Sequence, residues 1–131
     1  MELGVIGLGR MGQIVAGRLL DEGHDVVAFD VDETAVADAA DAGATPADSI
    51  PDLAQRLDEP KRIWLMVPAG DPVDAALEEL SGHLDSEDVV VDGGNSHFED
   101  SVRRAEETGA AYLDCGTSGG PAGAELGFSL M

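Results

Sequence analysis

The chain has 131 residues, 44% of them hydrophobic, and its 27 acidic and seven basic residues give a formal net charge of −20 at pH 7. This length suits one domain with its own core, and the hydrophobic fraction excludes a disordered acidic tail. Because so negative a surface repels nucleic acid and anionic membranes, we expect neither as a partner.

The acidic composition predicts a protein adapted to high salt. At about 1 M salt the Debye length shrinks to roughly 3 Å, which screens the repulsion among surface carboxylates. We therefore expect a halophilic source. The sequence has no signal peptide, no apolar run of the ~18 residues that a membrane helix needs, and a single cysteine, Cys115. These features predict a cytoplasmic protein without an internal disulfide.

The first twenty residues predict a strand, a glycine turn and a helix. Residues 3–6 are apolar, Gly7, Gly9 and Gly12 follow in the spacing G-x-G-x-x-G, and residues 13–20 are amphipathic. That order is the context of the dinucleotide-binding fingerprint. Gly7 would allow the tight turn, Gly9 a close approach of the pyrophosphate, and Gly12 close packing of helix on strand. A pyrophosphate would then meet the amino end of the helix.

A second strand is predicted over residues 24–29, and it ends at Asp30, 18 residues beyond Gly12. A carboxylate at this place accepts hydrogen bonds from the adenosine ribose and repels a 2′-phosphate. The next residues, Val31, Asp32 and Glu33, offer no cation to receive that phosphate. The pattern favours NAD over NADP. The alternative is that Asp30 only caps the helix that starts near Asp32.

The rest of the chain alternates between helix and strand. One helix is predicted over residues 33–42, and a second starts at Thr45-Pro46 and Ser49-Ile50-Pro51 and runs to about residue 57. A third runs from the N-cap Asp71 to about residue 80. A fourth covers residues 97–107 and begins with a capping box of Ser96 and Glu99. Strands are predicted over 62–67, 87–92 and 110–113, and residues 126–131 are apolar and strand-like. This alternation predicts an α/β fold, a Rossmann-like, doubly wound and mostly parallel sheet in one domain, residues 1–131.

Two later loops carry polar groups after the carboxyl ends of strands, the edge at which open parallel sheets bind ligands. Asn95 brings an amide suited to bridging a cofactor and a polyol. Ser118, Gly119 and Gly120 bring a hydroxyl and backbone N–H groups suited to a carboxylate or oxyanion. Either loop alone could be a simple glycine turn. Together with the fingerprint they predict a ligand cleft.

Four motifs in order resemble the amino-terminal domain of decarboxylating 6-phosphogluconate dehydrogenase over the whole chain. They are Gly7-Leu8-Gly9-Arg10-Met11-Gly12, Val67-Pro68-Ala69-Gly70, Asp92-Gly-Gly-Asn-Ser96 and Gly116-Thr-Ser-Gly-Gly-Pro-Ala-Gly123. The related 3-hydroxyisobutyrate dehydrogenases share the first loop and a Ser-Gly-Gly segment, but usually have a Ser/Thr-rich sequence at the position of residues 93–96.

The resemblance implies two sets of binding residues. Contacts to the dinucleotide are implied for Gly7, Leu8, Gly9, Arg10, Met11, Gly12, Asp30, Val67, Pro68, Ala69 and Asn95. Contacts to the sugar acid are implied for Asn95, Ser118, Gly119 and Gly120. NADP-using members typically have Asn-Arg-Thr at the end of the second strand, where this chain has Asp30-Val31-Asp32. The resemblance therefore also implies NAD.

The reaction implied is the metal-free oxidation and decarboxylation of 6-phosphogluconate to ribulose 5-phosphate, a step of the pentose phosphate pathway. The family's lysine base and glutamate acid lie beyond the equivalent of Met131, so no catalytic residue is expected in this chain. Lys61 precedes a strand at the opposite end of the sheet and is not expected to replace that lysine.

The family's helical domain, which forms the homodimer, also lies beyond Met131. We therefore expect a dinucleotide-binding half, cut within its last strand and inactive alone. Two alternatives remain: a non-catalytic NAD-binding module that pairs with another chain, and a relative of the 3-hydroxyacid dehydrogenases.

Overall fold

The computed structural model describes residues 1–131 and has at its centre a parallel sheet of six strands in the order β3-β2-β1-β4-β5-β6. These strands are β1 (Glu2–Ile6), β2 (Asp25–Phe29), β3 (Thr45–Pro46), β4 (Arg62–Leu65), β5 (Val89–Asp92) and β6 (Ala111–Asp114). The order reverses direction between β1 and β4, which is the switch point of a doubly wound dinucleotide-binding fold. The predicted α/β fold is confirmed.

Helices connect the strands and cover both faces of the sheet. They are α1 (Arg10–Asp21), α2 (Glu33–Asp41), α3 (Ile50–Arg56), α4 (Asp71–Leu80) and α5 (Phe98–Glu107). After β6 come a short strand β7 (Thr117–Ser118), a 3-10 turn (Gly120–Ala122), the one-turn helix α6 (Gly123–Leu126) and β8 (Ser129–Leu130). None of these helices has the length and apolar character needed to cross a bilayer.

Two apolar clusters lie on opposite faces of the sheet, because successive strand residues point to opposite sides. Val5 of β1 packs with α1 and α2 on one face, whereas its neighbour Ile6 packs with α3 and α4 on the other. Val26 and Val27 of β2 divide in the same way. Burial on both faces accounts for the continuous apolar runs of these strands.

The sequence had predicted that a helix starts at Thr45 and Pro46, and this prediction is wrong. They form the edge strand β3, in which Thr45 is opposite Val27 and Pro46 is opposite Ala28. An edge strand tolerates proline because only one of its sides needs backbone donors. The helix starts one turn later, where the Ser49 side chain accepts a hydrogen bond from the Asp52 N–H at 3.1 Å.

Two other predicted helix starts were also wrong in detail. Ser96 forms no capping box, because its hydroxyl donates to the buried carboxylate of Asp92; His97 is the N-cap of α5, and its Nδ1 accepts from the Glu99 N–H at 3.4 Å. Asp71 is the first residue of α4 rather than its cap, and Gly70 takes the N-cap position with φ 94°.

The final apolar segment contributes little to the sheet. Only Ser129–Leu130 is extended, and it pairs antiparallel with Thr117–Ser118 in a separate two-stranded sheet. Phe128 turns inward and packs on Gly123, where a Cβ would overlap its ring. The strand-like character predicted for residues 126–131 is therefore confined to two residues.

Candidate functional site

In the fingerprint loop, residues 7–12, two glycines are required because a side chain at either position would collide with neighbouring backbone atoms. Gly7 has φ 95°, and a Cβ there would lie 2.7 Å from the carbonyl carbon of Met66. A Cβ on Gly12 would overlap the carbonyl oxygen of Gly7. Gly9 differs, because a Cβ there would meet nothing within 4 Å. The first and third glycines thus pack the loop, and the second leaves open space above it.

Helix α1 presents an uncapped amino end to this open space. It starts at Arg10 behind Gly9, and no side chain accepts a hydrogen bond from its first N–H groups. Such groups lack partners within the helix and carry the positive end of its dipole. Arg10 is exposed beside them. An anion placed over Gly9 would meet backbone donors and a guanidinium.

Asp30 lies at the end of β2 and holds the fingerprint loop. Its Oδ2 accepts a hydrogen bond from the Leu8 N–H at 2.6 Å, and its Oδ1 accepts one from the Asp32 N–H at 2.8 Å. The cap of α2 is Asp32, which accepts from the Thr34 N–H at 2.9 Å. The alternative that Asp30 serves only as a helix cap is therefore wrong. Leu8 is 2% exposed, so its side chain belongs to the core.

A cleft of about 850 Å³ opens at the carboxyl ends of the strands. Of the residues predicted to bind ligands, its walls contain Gly7, Gly9, Arg10, Met11, Gly12, Asp30, Val67, Pro68 and Asn95. Leu8, Ala69, Ser118, Gly119 and Gly120 are not among its lining residues. The structure thus brings the predicted dinucleotide loops together but leaves the predicted Ser-Gly-Gly segment outside the cleft, with the adjacent Thr117 at its wall.

Part of the cleft wall was missed by sequence reasoning. Helix α4 contributes Pro72, Ala75, Ala76 and Glu79, and α3 contributes Ile50. The positions on α4 follow the three- and four-residue spacing of one helix face, which the sequence does contain. Nothing in the sequence distinguishes a face that lines a cleft from one that packs in the core.

The loops after β4 and β5, residues 67–70 and 93–96, are called here the central loops, and they touch each other directly. A Cβ on Gly94 would collide with the carbonyl oxygen of Val67, and one on Gly93 would collide with the indole nitrogen of Trp64. Asn95 has φ 62° and is exposed. Gly94 therefore permits close contact between the two loops, Gly93 permits close packing of the second loop on the Trp64 side chain, and Asn95 lies at the turn that follows.

A buried carboxylate lies beneath Asn95. Asp92 is fully buried and accepts hydrogen bonds from the Gly94 N–H at 2.9 Å, the Tyr112 hydroxyl at 2.7 Å and the Ser96 hydroxyl. Burial raises the pKa of the Tyr112 hydroxyl, and its hydrogen bond to Asp92 raises that pKa further. From the sequence, Asp92 was predicted as a strand end and as the first residue of a family motif, without a hydrogen-bonding role, and Tyr112 had no predicted role.

The ionisable residues lining the cleft are Arg10, Asp30 and Glu79. Lys61, the chain's lysine, precedes β4 at the amino end of the sheet; its Nζ lies 3.3 Å from Glu59 Oε1 and 3.6 Å from Asp88 Oδ2. It is a buried ion-pair residue outside the cleft lining. The arrangement can bind an anionic dinucleotide, and its wall offers no lysine or histidine as a base.

Comparison with known proteins agrees with this geometry. The family model of the NAD binding domain of 6-phosphogluconate dehydrogenase matches residues 2–131. The chain is 76% identical to an NAD(+)-dependent, decarboxylating 6-phosphogluconate dehydrogenase of Haloferax volcanii over all its 131 residues, which are 44% of that protein.

Two solved structures share the fold. A Plasmodium falciparum 6-phosphogluconate dehydrogenase matches with a TM-score of 0.86 and 28% identity, covering all of this chain and 30% of that one. A Mycobacterium tuberculosis 3-hydroxyisobutyrate dehydrogenase matches with a TM-score of 0.87 and 26% identity, covering 98% of this chain and 45% of that one. The chain spans less than half the length of these relatives.

The sequence match covers almost the whole chain, and it includes the fingerprint loop, Asp30 and both central loops. This chain therefore belongs to the family of NAD-binding domains of 6-phosphogluconate dehydrogenase.

Proposed function

We propose that residues 1–131 bind NAD in the cleft and form the dinucleotide-binding domain of an NAD-dependent, decarboxylating 6-phosphogluconate dehydrogenase. The observation that carries this proposal is the uncapped amino end of α1 beneath the open space at Gly9. A pyrophosphate there would bind the free N–H groups, and Arg10 would add a charged hydrogen bond. NAD fits the site because no side chain fills the space that its phosphates need.

The charges around Asp30 support NAD rather than NADP. Asp30, Asp32 and Glu33 would repel a 2′-phosphate, and no lysine or arginine follows β2 to bind it. Among the relatives, the Haloferax enzyme is named NAD(+)-dependent, whereas the Plasmodium enzyme is described with NADP+. The relative with the higher identity thus agrees with the local charges.

We further propose that the sugar acid lies beside Asn95, with Ser118, Gly119 and Gly120 as additional ligands. NAD supplies the hydride acceptor for oxidation of an alcohol carbon. Asn95 would orient the substrate hydroxyls with its amide, and the Ser118 hydroxyl would hold the carboxylate. By the family resemblance, a lysine base and a glutamate acid would come from residues beyond Met131, and the cleft wall of this chain contains no lysine or histidine. In the complete enzyme, a homodimer by the family resemblance, this domain would hold the cofactor.

Calorimetric titration tests the proposal. The purified chain is titrated in molar KCl with NAD and with NADP, and is then mixed with NAD and 6-phosphogluconate while NADH is followed by absorbance. We expect one NAD site, weaker binding of NADP and no NADH formation. Absence of NAD binding would refute the proposal. NADH formation by the chain alone would refute the statement that the base lies elsewhere.

The same mixture separates the alternatives. If NADH appears only after addition of a second polypeptide, the chain works as part of a split enzyme; if NAD binds and no polypeptide restores activity, a non-catalytic module is favoured. A 3-hydroxyacid dehydrogenase relative would oxidise 3-hydroxyisobutyrate instead. The Gly93-Gly94-Asn95-Ser96 sequence disfavours that alternative, because 3-hydroxyisobutyrate dehydrogenases usually have a Ser/Thr-rich sequence at this position.

The net charge of −20 supports a further proposal, that the protein works in the cytoplasm of a salt-accumulating cell. Repulsion among surface carboxylates destabilises the folded chain in dilute buffer and is screened at about 1 M salt. Thermal melts in low and in molar KCl test it. We expect the higher Tm in molar KCl, and a higher Tm in dilute buffer would contradict it.

A further inference from the structure

Arg104 of α5 is a buried cation that joins three segments of the chain. Its side chain is 1% exposed. Its Nε donates to Asp74 Oδ1 at 2.9 Å, one terminal nitrogen donates to the Ser96 hydroxyl at 2.9 Å, and the other donates to the Gly70 carbonyl at 3.1 Å. The Asp92 carboxylate lies 3.7 Å away. The rigid fork of one guanidinium thus contacts α4 and both central loops.

The segments that Arg104 joins are those that carry Val67, Pro68 and Asn95 in the cleft wall. Gly70 ends the first central loop, and Ser96 ends the second. Arg104 itself is not a lining residue of the cleft. Gly94 packs closely on the Val67 carbonyl, and the Arg104 guanidinium adds a polar bridge between the two loops.

A buried cation is stabilised only if its hydrogen bonds are made, so the positions of its partners are coupled. The hydrogen bond that Arg104 donates to the Asp74 carboxylate raises the pKa of the guanidinium, against the opposing effect of burial. Arg104 therefore stays charged, and a displacement of either central loop would leave one of its N–H groups without a partner.

We propose that Arg104 is a positioning residue, which holds the two central loops at the separation that the nicotinamide half of NAD requires. This inference rests on the proposed function. The adenosine half would be bound by residues 7–12 and Asp30, none of which hydrogen-bonds Arg104. Loss of the bridge should therefore weaken binding of NAD and leave binding of ADP, which contains only the adenosine half, unchanged.

The test compares the dissociation constants of NAD and ADP for variants in molar KCl. Arg104→Lys keeps the buried charge but loses the fork, and we expect NAD affinity to fall about tenfold while ADP affinity stays within about twofold. Arg103→Lys is the matched control. Arg103 donates to the same Asp74 oxygen at 3.0 Å from the exposed side of α5 and touches neither central loop, so both affinities should stay at the wild-type values.

A second variant protects the test against a folding defect. Ser96→Ala removes the hydrogen bond from Arg104 and the one that the Ser96 hydroxyl donates to Asp92, at a partly exposed residue; it should lower NAD affinity about threefold or more with ADP affinity unchanged. If Arg104→Lys does not fold, Ser96→Ala decides alone. Adding Arg103→Lys to Ser96→Ala should not change NAD affinity further, because Arg103 makes no hydrogen bond to either central loop.

The outcomes separate the inference from the proposed function. If wild-type protein binds neither ligand, the proposed function is refuted and the inference with it. If wild-type protein binds both and the variants lose NAD and ADP affinity equally, or lose neither, Arg104 has only a structural role and the inference alone is overturned. A selective loss of NAD affinity supports it.

Discussion

The cleft has two sides that are held together in different ways. On one side, the fingerprint loop and Asp30 are fixed by backbone contacts, namely the approach of Gly12 to the Gly7 carbonyl and the hydrogen bond from the Leu8 N–H to Asp30. On the other side, side chains from distant parts of the chain hold the central loops: the buried Arg104 donates to both loops, and the partly buried Tyr112 donates to Asp92, which precedes the second loop.

The two sides therefore place different requirements on the amino-acid sequence. The first side needs small residues and one carboxylate at fixed spacing, because its contacts are between neighbouring backbone segments. The second side needs buried charged groups whose hydrogen bonds are all made, because a buried carboxylate or guanidinium without a partner would destabilise the fold. A mutation on the first side should act through shape, and one on the second side through unpaired polar groups.

The largest expected effect comes from Gly12→Ala. The new methyl would overlap the Gly7 carbonyl oxygen, which is backbone and cannot move without displacing β1 or α1. We expect a loss of about 3 kcal/mol or more in the free energy of unfolding and loss of NAD binding. Denaturant titration in molar KCl measures it.

The matched control is Gly17→Ala in the same helix. A Cβ at Gly17 would meet nothing within 4 Å, and alanine is the better helix former by about 0.5–1 kcal/mol. This variant should therefore be as stable as the wild type or more so. Equal stability of the two variants would show that close packing at Gly12 does not hold this side of the cleft.

A smaller effect, on specificity, is expected from Asp30→Ala. This change would remove the proposed ribose hydrogen bonds and the proposed repulsion of a 2′-phosphate, together with the hydrogen bond that Asp30 accepts from the Leu8 N–H. A hydrogen bond to a charged group contributes about 1.5–3 kcal/mol, so the preference for NAD over NADP should narrow by about tenfold or more. Titration of both nucleotides measures the ratio. Glu33→Gln is the control, because it removes a nearby charge that makes no contact with the fingerprint loop. If this variant changes the NAD-to-NADP affinity ratio as much as Asp30→Ala does, the preference for NAD is due to net charge alone.

The smallest effect is expected from Tyr112→Phe on the other side. It leaves Asp92 with one donor fewer, at a cost of about 1–2 kcal/mol at neutral pH. The pKa of Tyr112 is raised in the folded state by burial and by Asp92, so the folded chain holds the phenolic proton more tightly than the unfolded chain. Its stabilising contribution is complete below the unfolded pKa of about 10 and falls as pH rises beyond it.

Denaturant titrations at pH 7 and at about pH 11 test this sign. From pH 7 to about pH 11 the free energy of unfolding should fall further for the wild type than for Tyr112→Phe. The difference in stability between the two proteins should therefore be smaller at the higher pH. If the difference grows with pH, the Tyr112 proton does not stabilise the folded state, and the polar description of this side is wrong.

The first side of the cleft was predictable from sequence, and the second was predictable only in part. Gly7, Gly9, Gly12 and Asp30 act through local geometry, which spacing reveals. Arg104 lies 30 residues from Asp74 in the sequence, and no local pattern links the two.

The errors have the same origin. Ser96 and Glu99 have the spacing of a capping box, but the buried carboxylate of Asp92 and the guanidinium of Arg104 bind the Ser96 hydroxyl instead. Thr45 and Pro46 look like a helix start until the neighbouring strand β2 is known. In both places a tertiary partner overrides a local preference, and sequence alone does not contain that partner's position.

The most direct test of the account is a crystal structure of the chain grown in molar salt with NAD. We expect the pyrophosphate over Gly9 at the amino end of α1, the adenosine ribose on Asp30, and the nicotinamide between the central loops beside Asn95. A dinucleotide bound elsewhere, or one whose ribose does not contact Asp30, would contradict the assignment of this cleft.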